Sequence, residues 1–343
     1  MTMRQTQSQG GATRADDGAS TDLRIRALLP ARYGDAIFWL ARYMERIENL
    51  ARMLDVTESF ARDDRGVGNW RSVVQINGDD ALFRKRYPQG SGADAVRFYL
   101  LDRDNPTSIG FAMRAAYQNA RTLRPLISTE MWAQINVFNK EIEALGPADI
   151  AASRLSALCG RIKDGCHTHA GLIEATFYRD QGWYFYQLGK YLERADQTTR
   201  LLDIQHHLLL SQPEDGTNLR ADRIEWQVLL RAAAGYHAFR RVSPRRINLE
   251  AVLGFMLFDE AFPRSLRLCV RTVGTLLERL RQTYPVLRSA KPLECYDELD
   301  VSLTDRSYQR MIETGLHDYL DLLQQQIGKL SSAIGQAYFD ASA

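Results

Sequence analysis

Apolar residues recur along most of this chain at steps of three and four. In 36–56, Leu40, Met44, Ile47, Ala51 and Leu54 fall on one stripe, which predicts a helix with one buried face. The same spacing runs through 67–86, 107–124, 129–145, 151–178, 183–210, 222–241, 247–258, 263–283 and 307–339. Breakers fall between or near the ends of these stretches: Gly66 and Gly68, Gly90-Ser91-Gly92, Pro106, Gly146-Pro147, Gly182, Pro213, Pro244, Pro263, Pro285 and Pro292. No stretch alternates with a period of two, so no sheet is expected and the fold class is all-α.

The helical pattern also repeats at long range. LARYMERIENLARMLDV (40–56) aligns without a gap to LGKYLERADQTTRLLDI (188–204), with seven of 17 positions identical. Downstream, Trp70 answers Trp226, and Phe83-Arg84 answers Phe239-Arg240. FYLLDRDNPTSI (98–109) answers FMLFDEAFPRSL (255–266), and the offset drifts only from 148 to 157. Three blocks in one order predict a helical bundle built from two diverged, pseudo-symmetric repeats. The expected organisation is a disordered tail over 1–22, a first helical repeat over 23–170 and a second over 171–343. Separate bundles and one interleaved bundle both fit the sequence.

These blocks resemble the bacterial alpha-E domain family, from about residue 29 to the C-terminus. The similarity is carried by FWLARYMERIENLARMLDV (38–56), LLDRDNPTSI (100–109), RAAYQNARTLRPLISTEMWAQIN (114–136), GWYFYQLGKYLERADQTTRLLDI (182–204) and LDLLQQQIGKLSSAIGQAYF (320–339). The resemblance implies an all-helical protein without an established reaction. It also implies a setting beside ATP-grasp-like ligases and transglutaminase-like proteins. The expected role is a helical partner or accessory subunit of an amide- or peptide-forming ligase. No ATP-grasp segment is found in this sequence, so the ligase is expected as a separate chain.

Composition narrows the remaining classes. A net charge of +2 sets up no strong field for nucleic acid or acidic lipid. Six lysines among 44 basic residues leave 38 arginines, whose planar forks suit paired carboxylates and phosphates. Cys159, Cys166, Cys269 and Cys295 form no CxxC pair and read as reduced thiols, and 1–22 has no apolar leader core. No apolar run approaches the roughly 18 residues of a membrane span. A cytoplasmic protein with no nucleic-acid or membrane partner is expected.

The candidate chemistry lies on the two matching helices. Glu45, Glu48, Asn49 and Arg52 share one stripe, and the second copy rebuilds it as Glu193, Asp196, Gln197 and Arg200. Two such stripes face to face would hold a cation, an ammonium or a peptide end. With Glu45 or Glu193 as a general acid–base, they could also act as an enzyme in their own right. The plain alternative is a scaffold whose exposed charges make weak ion pairs along each helix.

Arg46 and Arg194 flank the stripes and are expected to reach Asp102 and Asp259 on neighbouring helices. In the Asp102–Ser108 segment, Asn105 is expected to cap a helix, with Pro106 at its first position and Ser108 reaching first-turn amides; anion binding at that helix start is the other option. Cys166 with His169, His206-His207 and the Asp203/His206 pair lack a second half-site, so no metal and no cofactor is expected. The basic clusters Arg84-Lys85-Arg86 and Arg240-Arg241 with Arg245-Arg246 read as solvated helix ends.

Overall fold

The computed structural model describes residues 28–62, 70–210, 219–244, 247–287, 289–304, 311 and 315–340. Among them are 14 α-helices and no strand, so the chain is all-α. No helix among the described residues is long and apolar enough to cross a membrane. The expected tail over 1–22 lies outside the described residues, as do 67–69 and 307–310 at the starts of two expected helices.

Two long helices form the centre. Helix α1 (Ala31–Arg62) packs along α8 (Gln181–Leu210), the most extensive helix pair in the molecule. Helices α5 (Ile109–Thr122) and α7 (Ala152–Thr176) flank α1, with α6 (Thr129–Glu143) between them. Helices α12 (Leu266–Thr283) and α14 (Leu316–Tyr338) flank α8, with α13 (Lys291–Ser302) between them. The shorter helices cross over: α2 (Trp70–Ile76) packs on α8, and α9 (Leu219–Ala232) packs on α1. The buried apolar side chains form one continuous cluster that draws on both halves of the chain.

Local geometry recurs at the matched positions. Helix α2 is followed by α3 (Asp80–Arg86), and α9 by α10 (Tyr236–Val242). At the first break Gly78 has φ +70°, with N–H bonds from Gly78 to Gln75 O and from Asp79 to Val74 O. At the second, Ala234 has φ +57°, with bonds from Ala234 to Arg231 O and from Gly235 to Leu230 O. Both are left-handed helix ends of the Schellman type. Ala234 adopts without strain relief a backbone that Gly78 adopts freely.

Ser108 and Ser265 likewise each cap the following helix, accepting from Phe111 N–H at 3.1 Å and Leu268 N–H at 3.2 Å. Each hydroxyl also donates back to the carbonyl of Asp102 or Asp259.

Two helices were missed by their apolar spacing because breaker residues start them. Helix α4 (Gly92–Leu100) opens with a capping box in which Ser91 and Asp94 satisfy one another's backbone N–H groups. Helix α13 carries Pro292 in its first turn, where a missing N–H costs nothing. The stretch 247–258 is helical in two pieces, α11 (Leu249–Leu253) and a wider π-helical turn (Gly254–Phe258).

The close approach of α1 and α8 depends on small residues at their crossing. A Cβ added to Gly189 would stand 2.3 Å from the Phe38 carbonyl oxygen and 3.3 Å from the Ala41 methyl. Gly189→Ala must therefore push the central helices apart and should cost about 1–3 kcal/mol in urea unfolding. Gly328, exposed on α14 with nothing within 4 Å of an added Cβ, provides the contrast. Gly328→Ala should instead stabilise by about 0.5–1 kcal/mol, because it removes only backbone freedom from the unfolded chain.

Candidate functional site

Helix α1 is buried on nearly every side, and its polar stripe faces α8 instead of solvent. Glu45, Glu48 and Asn49 are all buried, as is Glu193 on the opposing helix. The two Glu-Arg dipeptides meet there and exchange partners. Arg194 Nε and Nη2 donate to the two Glu45 oxygens at 2.9 and 2.7 Å. Arg46 Nε and Nη2 donate to the two Glu193 oxygens at 2.6 and 3.2 Å. Each is a fork-on-fork pair, the strongest geometry available to these groups. Between them Asn49 Nδ2 donates to Gln197 Oε1 at 2.6 Å, and Gln197 Nε2 donates to Glu193 Oε1 at 3.1 Å.

Glu193 has a second cation, Arg42, whose Nε donates to Oε2 at 2.7 Å while Nη1 reaches Ser331 Oγ at 2.6 Å. On the other side, Arg264 from the turn before α12 brings Nη2 to 2.7 Å from Glu48 Oε1 and Nη1 to 3.5 Å from Glu45 Oε2. Arg52 grips the same Glu48 oxygen at 2.9 and 2.7 Å and lies 3.0 Å from His167 Nε2. Asp196 and Arg200 pair along their own helix at 2.8 Å.

Sequence reading brought the two acid/Arg stripes into view but missed Arg42 and Arg264. Arg42 had a signal, since another basic residue, Lys190, stands at the aligned position of 188–204. Arg264 had none: Thr107 stands at the matched position, and its hydroxyl goes to Asp79 and Asn105.

The remaining candidates lie away from this centre, and two expectations need correction. Arg46 and Arg194 do not reach Asp102 and Asp259, because each finds a glutamate on the facing central helix. Asp102 pairs instead with Arg86, and Asp259 Oδ1 accepts from the N–H groups of Ala261 and Phe262 at 2.8 and 2.9 Å. Nor does Asn105 cap α5. That helix starts at Ile109, and Ser108 is the cap. Asn105 is fully buried one turn earlier, donating to Phe98 O at 3.1 Å and accepting from Thr107 N–H at 3.0 Å, so it ties the end of α4 to the start of α5.

The exchanged Glu45/Arg194 and Glu193/Arg46 pairs lock α1 to α8, and the electrostatics oppose acid–base chemistry at this lock. Burial would raise the Glu48 carboxyl, but Arg264 and Arg52 hold it down to about 2. Burial likewise acts against Glu193, and Arg42 and Arg46 overcome it, so its carboxyl lies below the usual range. A carboxylate held charged by two guanidiniums is a poor proton acceptor at neutral pH. Burial pushes the thiols of Cys159 and Cys269 up to about 12 and that of Cys166 well above its ordinary value, which leaves them unreactive.

Among the described residues one group could hold a metal. Asp203, His317 and Asp321 bring ligand atoms within 4.8 Å of one another, half open to solvent. His317 Nδ1 lies 2.7 Å from Asp203 Oδ1, a contact that a simple ion pair accounts for. The side chains of His206 and His207 lie outside the described residues.

Two measurements follow from these environments. Glu193→Gln keeps the shape but leaves Arg42 and Arg46 facing a neutral amide. It should cost about 3–5 kcal/mol in chemical unfolding, far more than loss of an exposed pair. Acid should act in two stages. Burial, helped by Lys190, brings the His169 ring down to about 4 from 6.5, and neither ring nitrogen has a hydrogen-bond partner. The neutral ring favours the folded state, so stability is full above pH 6.5 and falls as pH drops toward 4. Glu48 and Glu193 add a second loss below 4.5, the ordinary glutamate value. His169→Leu should abolish the upper stage, read as a flat melting temperature from pH 6.5 down to the onset of the glutamate loss near 4.5.

Uncharacterized proteins of Mycobacterium bovis and Mycobacterium tuberculosis are each 24% identical to this chain over 324 residues. These alignments cover 86% of this chain but 34% of the relatives, so the chain spans about a third of their length. No solved structure matches it at a significant level. A family described as a predicted alpha-helical domain with a conserved ER motif matches residues 29–339, nearly the whole chain, and the protein therefore belongs to that family, Alpha-E.

Proposed function

We propose that this protein is a helical partner or accessory subunit of an ATP-grasp-type amide or peptide ligase, supplied as a separate chain, with a transglutaminase-like protein as a further associate. The observation that carries this reading is the reach of the relatives. There the matching helical unit makes up 34% of a longer polypeptide, which supports a unit that acts together with further protein sequence. The ligase class itself comes from the family resemblance. The interlocked Glu45/Arg194 and Glu193/Arg46 pairs serve as the architecture that holds the two central helices at one spacing. This weighs against an enzyme using Glu45 or Glu193 as its acid–base, since both carboxylates are committed to arginine.

Two further elements belong to the same proposal. The halves are diverged copies of one unit, interleaved through α1 and α8. In support, the partner exchange is reciprocal, and the Schellman ends at Gly78 and Ala234 fall at matched positions. The working compartment is the cytoplasm, in keeping with four free, buried cysteines.

Affinity capture of the full chain from its native host, followed by mass spectrometry, tests the partnership. The expected result is a co-purifying chain with an ATP-grasp sequence whose ATP-dependent amide formation rises when this protein is added. Turnover of an amide by this chain alone would overturn the reading, as would an ATP-grasp ligase that neither binds it nor responds to it.

A further inference from the structure

Beyond the lock, α1, α7, α9 and α10 line a cavity of about 670 Å³ that is open to solvent on one side, within the size range of small-molecule sites. Its wall carries three cations, Arg52, Lys163 and Arg231, against one acid, Asp55. The cations are unequally engaged. Lys163 Nζ lies 2.6 Å from Asp55 Oδ2, while the other Asp55 oxygen accepts from Ser156 at 2.6 Å. Arg52 shares the single Glu48 oxygen with Arg264, so that carboxylate faces more positive charge than it can balance. Arg231 has no acidic partner among the described residues; its guanidinium carbon lies 4.4 Å from the centre of the Tyr236 ring. The left-handed turn at Ala234 folds α10 back so that Tyr236 and His237 line the same cavity as Arg231.

We infer that this cavity binds a small organic anion carrying two or more charged oxygens, phosphate or carboxylate, between Arg231, Arg52 and Lys163. Planar arginine forks and a lysine point charge are the usual partners of such groups. Tyr236 offers an apolar face beside them. The site is independent of the ligase partnership and would stand if that failed.

Isothermal titration of the full chain with inorganic pyrophosphate and, separately, citrate tests it and distinguishes the two ligand classes. Saturable one-to-one binding tighter than about 1 mM by at least one of them is expected, and absence of binding by both overturns the proposal. Arg231→Gln should weaken that binding about tenfold or more, and Arg231→Lys should recover part of it. Because Arg231 is exposed and its side-chain contact among the described residues is the face of Tyr236, these variants should melt close to the parent. Arg154→Gln, exposed on α7 away from the cavity wall, should bind as the parent does. Equal loss in both glutamine variants would show general charge attraction and would also overturn the site.

Discussion

The exchange of Glu-Arg pairs between α1 and α8 is the constraint around which the rest of this molecule is arranged. Charged side chains in a protein interior lose several kcal/mol of hydration each, and only close, complete pairing recovers it. Here the recovery requires the two helices to lie at one separation and one register, since a shift of either by a residue would turn Glu45 or Glu193 away from its arginine. The small residues Ala41 and Gly189 allow that separation, and the flanking helices close over it. Apolar packing alone would tolerate neighbouring registers; the ion pairs discriminate among them.

The arrangement is matched on its two sides but not equal. Glu193 is held by Arg46 and Arg42, both on α1, whereas Glu45 and Glu48 share Arg194 and Arg52 with Arg264 from outside the helix pair. Each side nevertheless holds one guanidinium more than it has carboxylates, two on Glu193 and three on Glu45 with Glu48.

Much of the fold was legible in the sequence, because period-3.6 stripes depend only on local spacing. The α4 and α13 helices were hidden by Ser91-Gly92 and Pro292, residues that interrupt a helix in its middle but begin one well. The site was legible by residue type and not by partner. Helical phase places Glu45, Glu48 and Arg52 on one stripe, yet nothing local says whether that stripe meets water or another helix. Repetition of the stripe around Glu193 supplied that hint, since packing alone does not ask for charges twice. Arg264 left no mark, because its contacts cross from a turn with no counterpart at Thr107.

The partners in the lock stand 147 to 151 residues apart along the chain. A ribosome adding about 5–20 residues per second needs on the order of ten seconds to cover that distance. Through that interval α1 has emerged with Glu45, Arg46 and Arg42 uncompensated and with apolar surface on every other side. The first half of the chain cannot complete its own interior, so it must be kept from aggregation until α8 is made. Synthesis order, and not only final stability, therefore bears on how this protein can be truncated, permuted or produced in another host.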